Sequence, residues 1–361
     1  QKNHQGIAEK TLFLLIATYL LCQLFAKEYL GASQKMVVVQ EMGYIDRIIH
    51  FFVVNQDTRT QDWFLSGSVG PLFTILITYL YFCIYAGPRF MKDRKPLQLK
   101  NTLIIYNAIQ VVLSIWLVWE GLEGGWRKHY NFRCQPVDYS RSPTAMRMAR
   151  AVWAYYMCKL IELLDTVFFV LRKKHNQISF LHLYHHTLMP ICAFIGLKYF
   201  AGGHGTLLGL INSFIHVIMY MYYMLAAMGP EVQKHLWWKK YLTTLQIIQF
   251  LIVFMHTIQV QFQPNCNFSK GIAALLTINA GAFTYMFSSF YIRNYTKNRS
   301  KGALDAKRRA TQELNHNDVS KCSLEVNGKA KLQEDFYPTP ASPIYEKLKQ
   351  NGHIPEMKKK A

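Results

Sequence analysis

The chain has 361 residues, of which 51% are hydrophobic, 14% aromatic and only 17% charged, a composition that argues against an ordinary soluble enzyme. Its formal net charge of +20 gathers in the tail from Lys297 onward and at segment ends. That distribution fits membrane orientation and argues against nucleic acid as a partner.

In chain order, residues 1–35 are expected to be an N-terminal extension or a signal-like segment. The apolar run 11–25 follows Lys10 and is short for a membrane span, and the chain opens on Gln1, so the first residues are read as a fragment or an upstream extension with no structural role. A polar to amphipathic lead-in follows over 36–66 and ends near Asp62 and Trp63. Windows of about twenty apolar residues then predict transmembrane helices at 67–86, 101–120, 148–171, 182–200, 206–228, 239–260 and 271–293. The expected fold is therefore all-α and polytopic, with seven transmembrane helices over 67–293, six or more of them in a bundle. From 294 the composition turns polar, basic and proline-punctuated, the pattern of a disordered tail.

Positive charge orients the bundle. Arg89, Lys92, Arg94, Lys95 and Lys100 lie in the first connection, Arg172, Lys173 and Lys174 follow the third span, and Lys234, Lys239 and Lys240 lie before the sixth. The positive-inside rule makes these connections and the C-terminus cytosolic. The connection 121–147 runs against the trend, carrying Arg127, Lys128, Arg133 and Arg141 on the other side. Lys358 and Lys359, fourth and third from the end, resemble a dilysine retrieval signal of the endoplasmic reticulum.

The seven cysteines form no C-x-x-C pair, and Cys83, Cys158 and Cys192 read as core residues. Seven spans place Cys134 and Cys266 together in lumenal connections, where a disulfide between them is expected to persist. Asn267 begins an N-F-S sequon beside Cys266.

Polar residues inside the spans converge at one depth. The fourth span opens F-L-H-L-Y-H-H at 180–186, with His182, His185 and His186 at helical spacing. Imidazoles in an apolar segment need polar partners, which marks a functional site. The third span carries Lys159, Glu162 and Asp165 in steps of three, beside Thr166. The structural alternative for that stripe is an ion-pair network that only fixes packing. The fifth span aligns Asn212, His216 and Tyr220 in steps of four with Tyr223, the sixth adds Gln246 and Gln249, and the second adds Tyr106 and Asn107. A polar chamber open to the cytosol, with a closed apolar tunnel for an acyl chain beyond it, satisfies them all. Three chemistries fit. A metal-dependent lipid oxidase needs several histidine boxes for its ligands, and this chain has one, with His216 and His175 apart from it. A neutral imidazole can attack a thioester while its neighbours hold its tautomer. A transporter or receptor with a histidine-lined cavity remains open.

The stretches K-L-I-E-L-L-D-T at 159–166, F-L-H-L-Y-H-H at 180–186, N-S-F-I-H-V-I-M-Y-M-Y-Y at 212–223 and T-L-Q-I-I-Q-F at 244–250 resemble the motif set of the ELO family. These are the fatty acid elongases, 3-ketoacyl-CoA synthases of the endoplasmic reticulum, and the resemblance runs over about residues 57–295. It implies condensation of a long-chain acyl-CoA with malonyl-CoA, releasing CO2 and CoA. It carries an acyl-histidine over to His185, an assisting role to His216, and orienting roles to His182 and His186; Glu162 and Asp165 complete the expected catalytic set. Lys159, Arg172, Asn212 and Lys239 become expected contacts for CoA, with Tyr220, Tyr223 and Gln246 on the same substrate-binding face. Cys134 and Cys266 match a lumenal disulfide of the family. No metal and no bound cofactor are implied, only the two CoA thioesters as substrates. The bilayer is the expected environment, with a homo-oligomer and association with other elongation enzymes as further expected partnerships. The M-P-I-C stretch at 189–192 and L-A-A-M-G-P at 225–230 are similar to elongases of saturated and monounsaturated chains.

Overall fold

Long apolar runs fold as helices because a segment out of water has to satisfy each backbone N–H within itself. The computed structural model describes residues 55–297, and there the chain is helical without a strand. The 1–35 extension, most of the 36–66 lead-in, nearly all of the 294–361 tail and the Lys358-Lys359 motif lie outside the described residues. Among the described residues six helices are long and apolar enough to cross a membrane. They are α1 (Gly70–Met91), α2 (Lys100–Trp126), α5 (Phe180–Tyr199), α6 (Thr206–Ala227), α7 (Lys239–Phe262) and α8 (Lys270–Thr296). Between α2 and α5 lie α3 (Pro143–Ile161) and α4 (Leu164–Leu171).

Local sequence sets several starts. Ser142 caps α3 by accepting from the Ala145 N–H at 3.2 Å, with Pro143 in the first turn. Ser179 caps α5 through the His182 N–H at 3.2 Å, and Ser269 caps α8 through the Ile272 N–H at 3.3 Å. The expected single span over 148–171 is instead α3 and α4, which meet at a tight turn. There the Leu163 N–H bonds the Leu160 carbonyl at 3.3 Å and the Asp165 N–H bonds the Glu162 carbonyl at 3.1 Å. Bonds closing on the third residue eclipse side chains three apart. The turn thereby stacks Lys159, Glu162 and Asp165 more directly than an α-helix would. Neither proline nor glycine marks the break.

The helices pair as α2 with α6, α7 with α8, and α3 with α5. α5 is the most enclosed of the six long helices, with half of its apolar window buried. On one side Leu183, Phe194 and Leu197 pack with Leu72, Leu76 and Tyr79 of α1 and with Ala149 and Tyr156 of α3. On the other, Tyr184, Leu188 and Met189 pack with Phe250 of α7 and Phe283 of α8. Gly87 of α1 permits the approach of α4, since a Cβ there would lie 2.7 Å from Val170 Cγ1.

At one end of the bundle, Cys134 and Cys266 are disulfide-bonded, with 5.7 Å between their Cα atoms. The same end holds the last carbonyls of α5 and one carbonyl just past it. Asp57 N–H donates to the Lys198 carbonyl at 2.8 Å, Thr60 Oγ1 to the Leu197 carbonyl at 2.9 Å, and Arg59 Nη2 to the Ala201 carbonyl at 3.1 Å. Arg59 also forms a buried pair with Asp57, donating to its carboxylate from Nε at 2.9 Å and Nη2 at 2.6 Å. Beside this cap His204 stacks on His256, ring centroids 3.7 Å apart, and each ring donates from Nε2 to the other's backbone carbonyl, at 2.8 and 3.2 Å.

Arg59→Met strands Asp57 as an uncompensated buried carboxylate, and denaturation in detergent should show a loss of about 3–5 kcal/mol. A stability equal to wild type would mean that the pair holds nothing. Burial keeps the His204 imidazole below its ordinary value of 6.5, so the unfolded chain binds a proton that the folded chain refuses. Stability is thus complete above that value and falls as pH drops from it. Melting curves across this range should lose part of their acid-side slope in His204→Phe.

Candidate active site

The turn between α3 and α4 carries the first half of the site. Lys159 and Glu162, 2% and 3% exposed, are paired, with Nζ 2.8 Å from Oε1 and 2.9 Å from Oε2. From α6, His216 Nδ1 reaches the same Glu162 Oε1 at 3.1 Å. A carboxylate that already takes the Lys159 ammonium accepts here, so His216 donates from Nδ1 and its Nε2 keeps the lone pair. One turn on, Asp165 Oδ2 accepts from the Tyr220 hydroxyl at 2.9 Å. The break frees backbone carbonyls, and the Tyr106 hydroxyl of α2 donates to that of Ile161 at 3.4 Å.

The other half is the first two turns of α5. His182 and His186 lie with ring centroids 4.2 Å apart, and His186 and His185 5.3 Å apart. His182 Nε2 is 2.9 Å from Thr166 Oγ1, which lies 2.7 Å from the Tyr79 hydroxyl, so α1, α4 and α5 share one hydrogen-bonded chain. His185 stands edge-on to Phe283 of α8, at 5.3 Å between centroids. Among the described residues no three His, Cys, Asp or Glu side chains converge as a metal-binding group.

Two cavities meet here. The larger, about 650 Å³, is lined by His182, His185, His186, His216, Asp165, Asn212, Tyr223 and Gln246, and by Arg172, Lys174 and Lys239. The smaller, about 120 Å³, is walled by Met148, Val152, Met189, Val253, Leu276 and Phe283 and reaches Phe200, Gly205 and Thr206 near the cap of α5. Four residues border both: His185, Asn212, Gln249 and Phe250. These four, called the throat below, stand between a polar chamber with cations on its wall and an apolar pocket. Of the three box histidines, only His185 belongs to it.

The structure thus brings His182, His185, His186, His216, Asp165, Arg172, Asn212, Tyr223, Lys239 and Gln246 to one chamber. Lys159, Glu162 and Tyr220 stand behind its wall, where they hold His216 and Asp165. Sequence reasoning passed over Tyr155, whose hydroxyl donates to Asn212 Oδ1 at 2.9 Å and whose ring lies 4.7 Å from Lys159 Nζ. Its position four residues before Lys159 was the available signal. Tyr79 and Phe283 carried none, being aromatic residues in apolar helices.

Comparison with known proteins matches residues 64–303 to the GNS1/SUR4 (ELO) family. A very long chain fatty acid elongase of Aedes aegypti is 47% identical over 270 residues, covering 74% of this chain and 75% of that protein. Very long chain fatty acid elongase 7 of Drosophila melanogaster is 48% identical over 251 residues, covering 70% and 76%. Very long chain fatty acid elongase 1 of Homo sapiens is 46% identical over 244 residues, covering 67% and 88%. These relatives lend nothing to the transporter or lipid-oxidase readings. The chain belongs to the ELO family of multi-pass membrane acyltransferases, the very long chain fatty acid elongases.

Proposed function

We propose that this elongase condenses acyl-CoA with malonyl-CoA through an acyl-imidazole on His185. The observation that carries the reading is the position of His185 in the throat, between a chamber with cations for CoA phosphates and an apolar pocket for the acyl chain. The lone pair of its ring nitrogen attacks the thioester carbonyl, the C–S bond breaks, and the CoA thiolate leaves and takes up a proton. Malonyl-CoA then replaces CoA in the chamber. Its C–CO2 bond breaks, the electron pair passes to the neighbouring carbon, and that carbon bonds the acyl carbon while the C–N bond to His185 breaks. The products are 3-ketoacyl-CoA, CO2 and CoA. His216, oriented by Glu162, has Nε2 available to move protons, and His182 and His186 orient the box. Asp165, held by Tyr220, borders the same chamber as a further proton-handling group.

The same reading takes the two cavities as parts of one acyl tunnel. It counts α3 with α4 as a seventh crossing within the 67–293 domain, and the disulfide end as lumenal. Arg172 and Lys239, with Asn212, Tyr223 and Gln246, are the proposed CoA-side contacts. Residence in the endoplasmic reticulum, retrieval through Lys358-Lys359 and the preference for saturated and monounsaturated chains belong to it as well.

Purified protein given acyl-CoA alone should release one equivalent of CoA and carry an acyl mass on His185, with neither in His185→Asn. Condensation without such an adduct would overturn the covalent step. Glu162→Gln should lower kcat about a hundredfold through loss of the His216 orientation, and should lower the melting temperature by stranding Lys159. Adding Lys159→Met should restore the melting temperature and leave kcat low; recovery of both would reduce the network to a packing role.

A further inference from the structure

The throat contains two carboxamides. Asn212 has its oxygen filled by the Tyr155 hydroxyl at 2.9 Å. Gln249 of α7 is 4% exposed and borders both cavities, yet its Oε1 is buried with no hydrogen-bond partner. An acceptor buried in an apolar bundle is costly to leave unpaired, so this one calls for a donor that the free chain does not supply. Gln249 and His185 line the same two cavities, and α8 links the helices that carry them. His185 rests on Phe283 at 5.3 Å, and Phe283 stacks at 5.2 Å on Phe250, the residue after Gln249.

An acceptor needs a donor, and the substrate has few in this region. The acyl chain has none, and neither has the thioester, whose carbonyl and sulfur only accept. With the acyl chain in the apolar pocket and CoA toward the cations, the first N–H met from the thioester is the cysteamine amide, two methylenes from sulfur. We infer that Gln249 is a substrate-positioning residue whose Oε1 accepts a hydrogen bond from this amide N–H and so sets the thioester against His185. The inference rests on the His185 reading. It applies equally to acyl-CoA and malonyl-CoA, because the amide belongs to the carrier that both share, and it gives the throat a selectivity for CoA-type thioesters independent of the phosphate contacts at the mouth.

The test edits one group on each side of the bond. Stearoyl-CoA is compared with its analogue bearing CH2 in place of the cysteamine N–H, in wild type, Gln249→Met and Gln249→Glu, reading the rate of acyl-adduct formation at subsaturating substrate. Wild type should favour the amide substrate by about tenfold, the worth of one buried hydrogen bond. Gln249→Met should bring that ratio close to one, and Gln249→Glu, which keeps an acceptor oxygen at the same reach, should retain a preference. A general defect in folding lowers both rates and leaves their ratio unchanged. An equal preference in wild type and Gln249→Met, or none in wild type, overturns the assignment and leaves water as the partner of Oε1. If wild type condenses both substrates without an adduct, the His185 reading fails, and the same ratio read on the condensation rate decides Gln249 separately.

Discussion

A carboxylate cannot stay charged inside an apolar bundle unless its oxygens are filled, and Glu162 is the group on which that constraint falls hardest. Lys159 occupies both of its oxygens and His216 reaches one of them, so α3 and α6 are joined at one residue. The desolvation cost of such a pair is repaid only by close geometry, and removing any single partner leaves a bare charge or a free imidazole. The tight turn between α3 and α4 serves the same demand, because it stacks the partners on one face. The carboxylate therefore stabilises the packing and fixes the tautomer of His216 in one arrangement.

α5 converts this arrangement into a division of space. It is packed on both sides, by α1 and α3 and by α7 and α8, so its first two turns face inward at the meeting of two cavities of opposite character. Polar groups and cations line one cavity and aliphatic and aromatic walls the other, as an amphiphilic substrate requires. The separation also distinguishes histidines that are chemically identical. His182 is tied to Thr166, whereas His185 borders both spaces and touches an aromatic edge.

Much of this was legible from residue spacing. Apolar windows located the helices, and steps of three and four located the stripe at Lys159, the box at His182 and the face at Asn212, since helical periodicity maps directly onto a shared surface. The division of the third span was not legible, because neither proline nor glycine marks it. Lys159 read as a cation for phosphate because sequence shows charge and not its nearest partner; Glu162, one turn on, already takes it. Gln246 and Gln249 looked equivalent at a three-residue step, but Gln246 Nε2 lies 3.6 Å from Met219 Sδ while Gln249 Oε1 is unpaired, a difference only packing reveals. The cap over α5 escaped notice because its donors and acceptors are far apart in the chain.

That distance has a bearing on assembly. Thr60 lies 137 residues before the Leu197 carbonyl of α5 and Arg59 142 before the Ala201 carbonyl just past it, and the disulfide spans 132. A nascent chain therefore presents Thr60 and Arg59 long before the helix they terminate exists, and α1 through α4 must be threaded before the two can meet. Loop closure over such a length costs only slightly more than over half of it, but it makes the contact non-local and slow to find. The axial position of the histidine box consequently depends on the earliest part of the described chain, through contacts that only long-range closure can form.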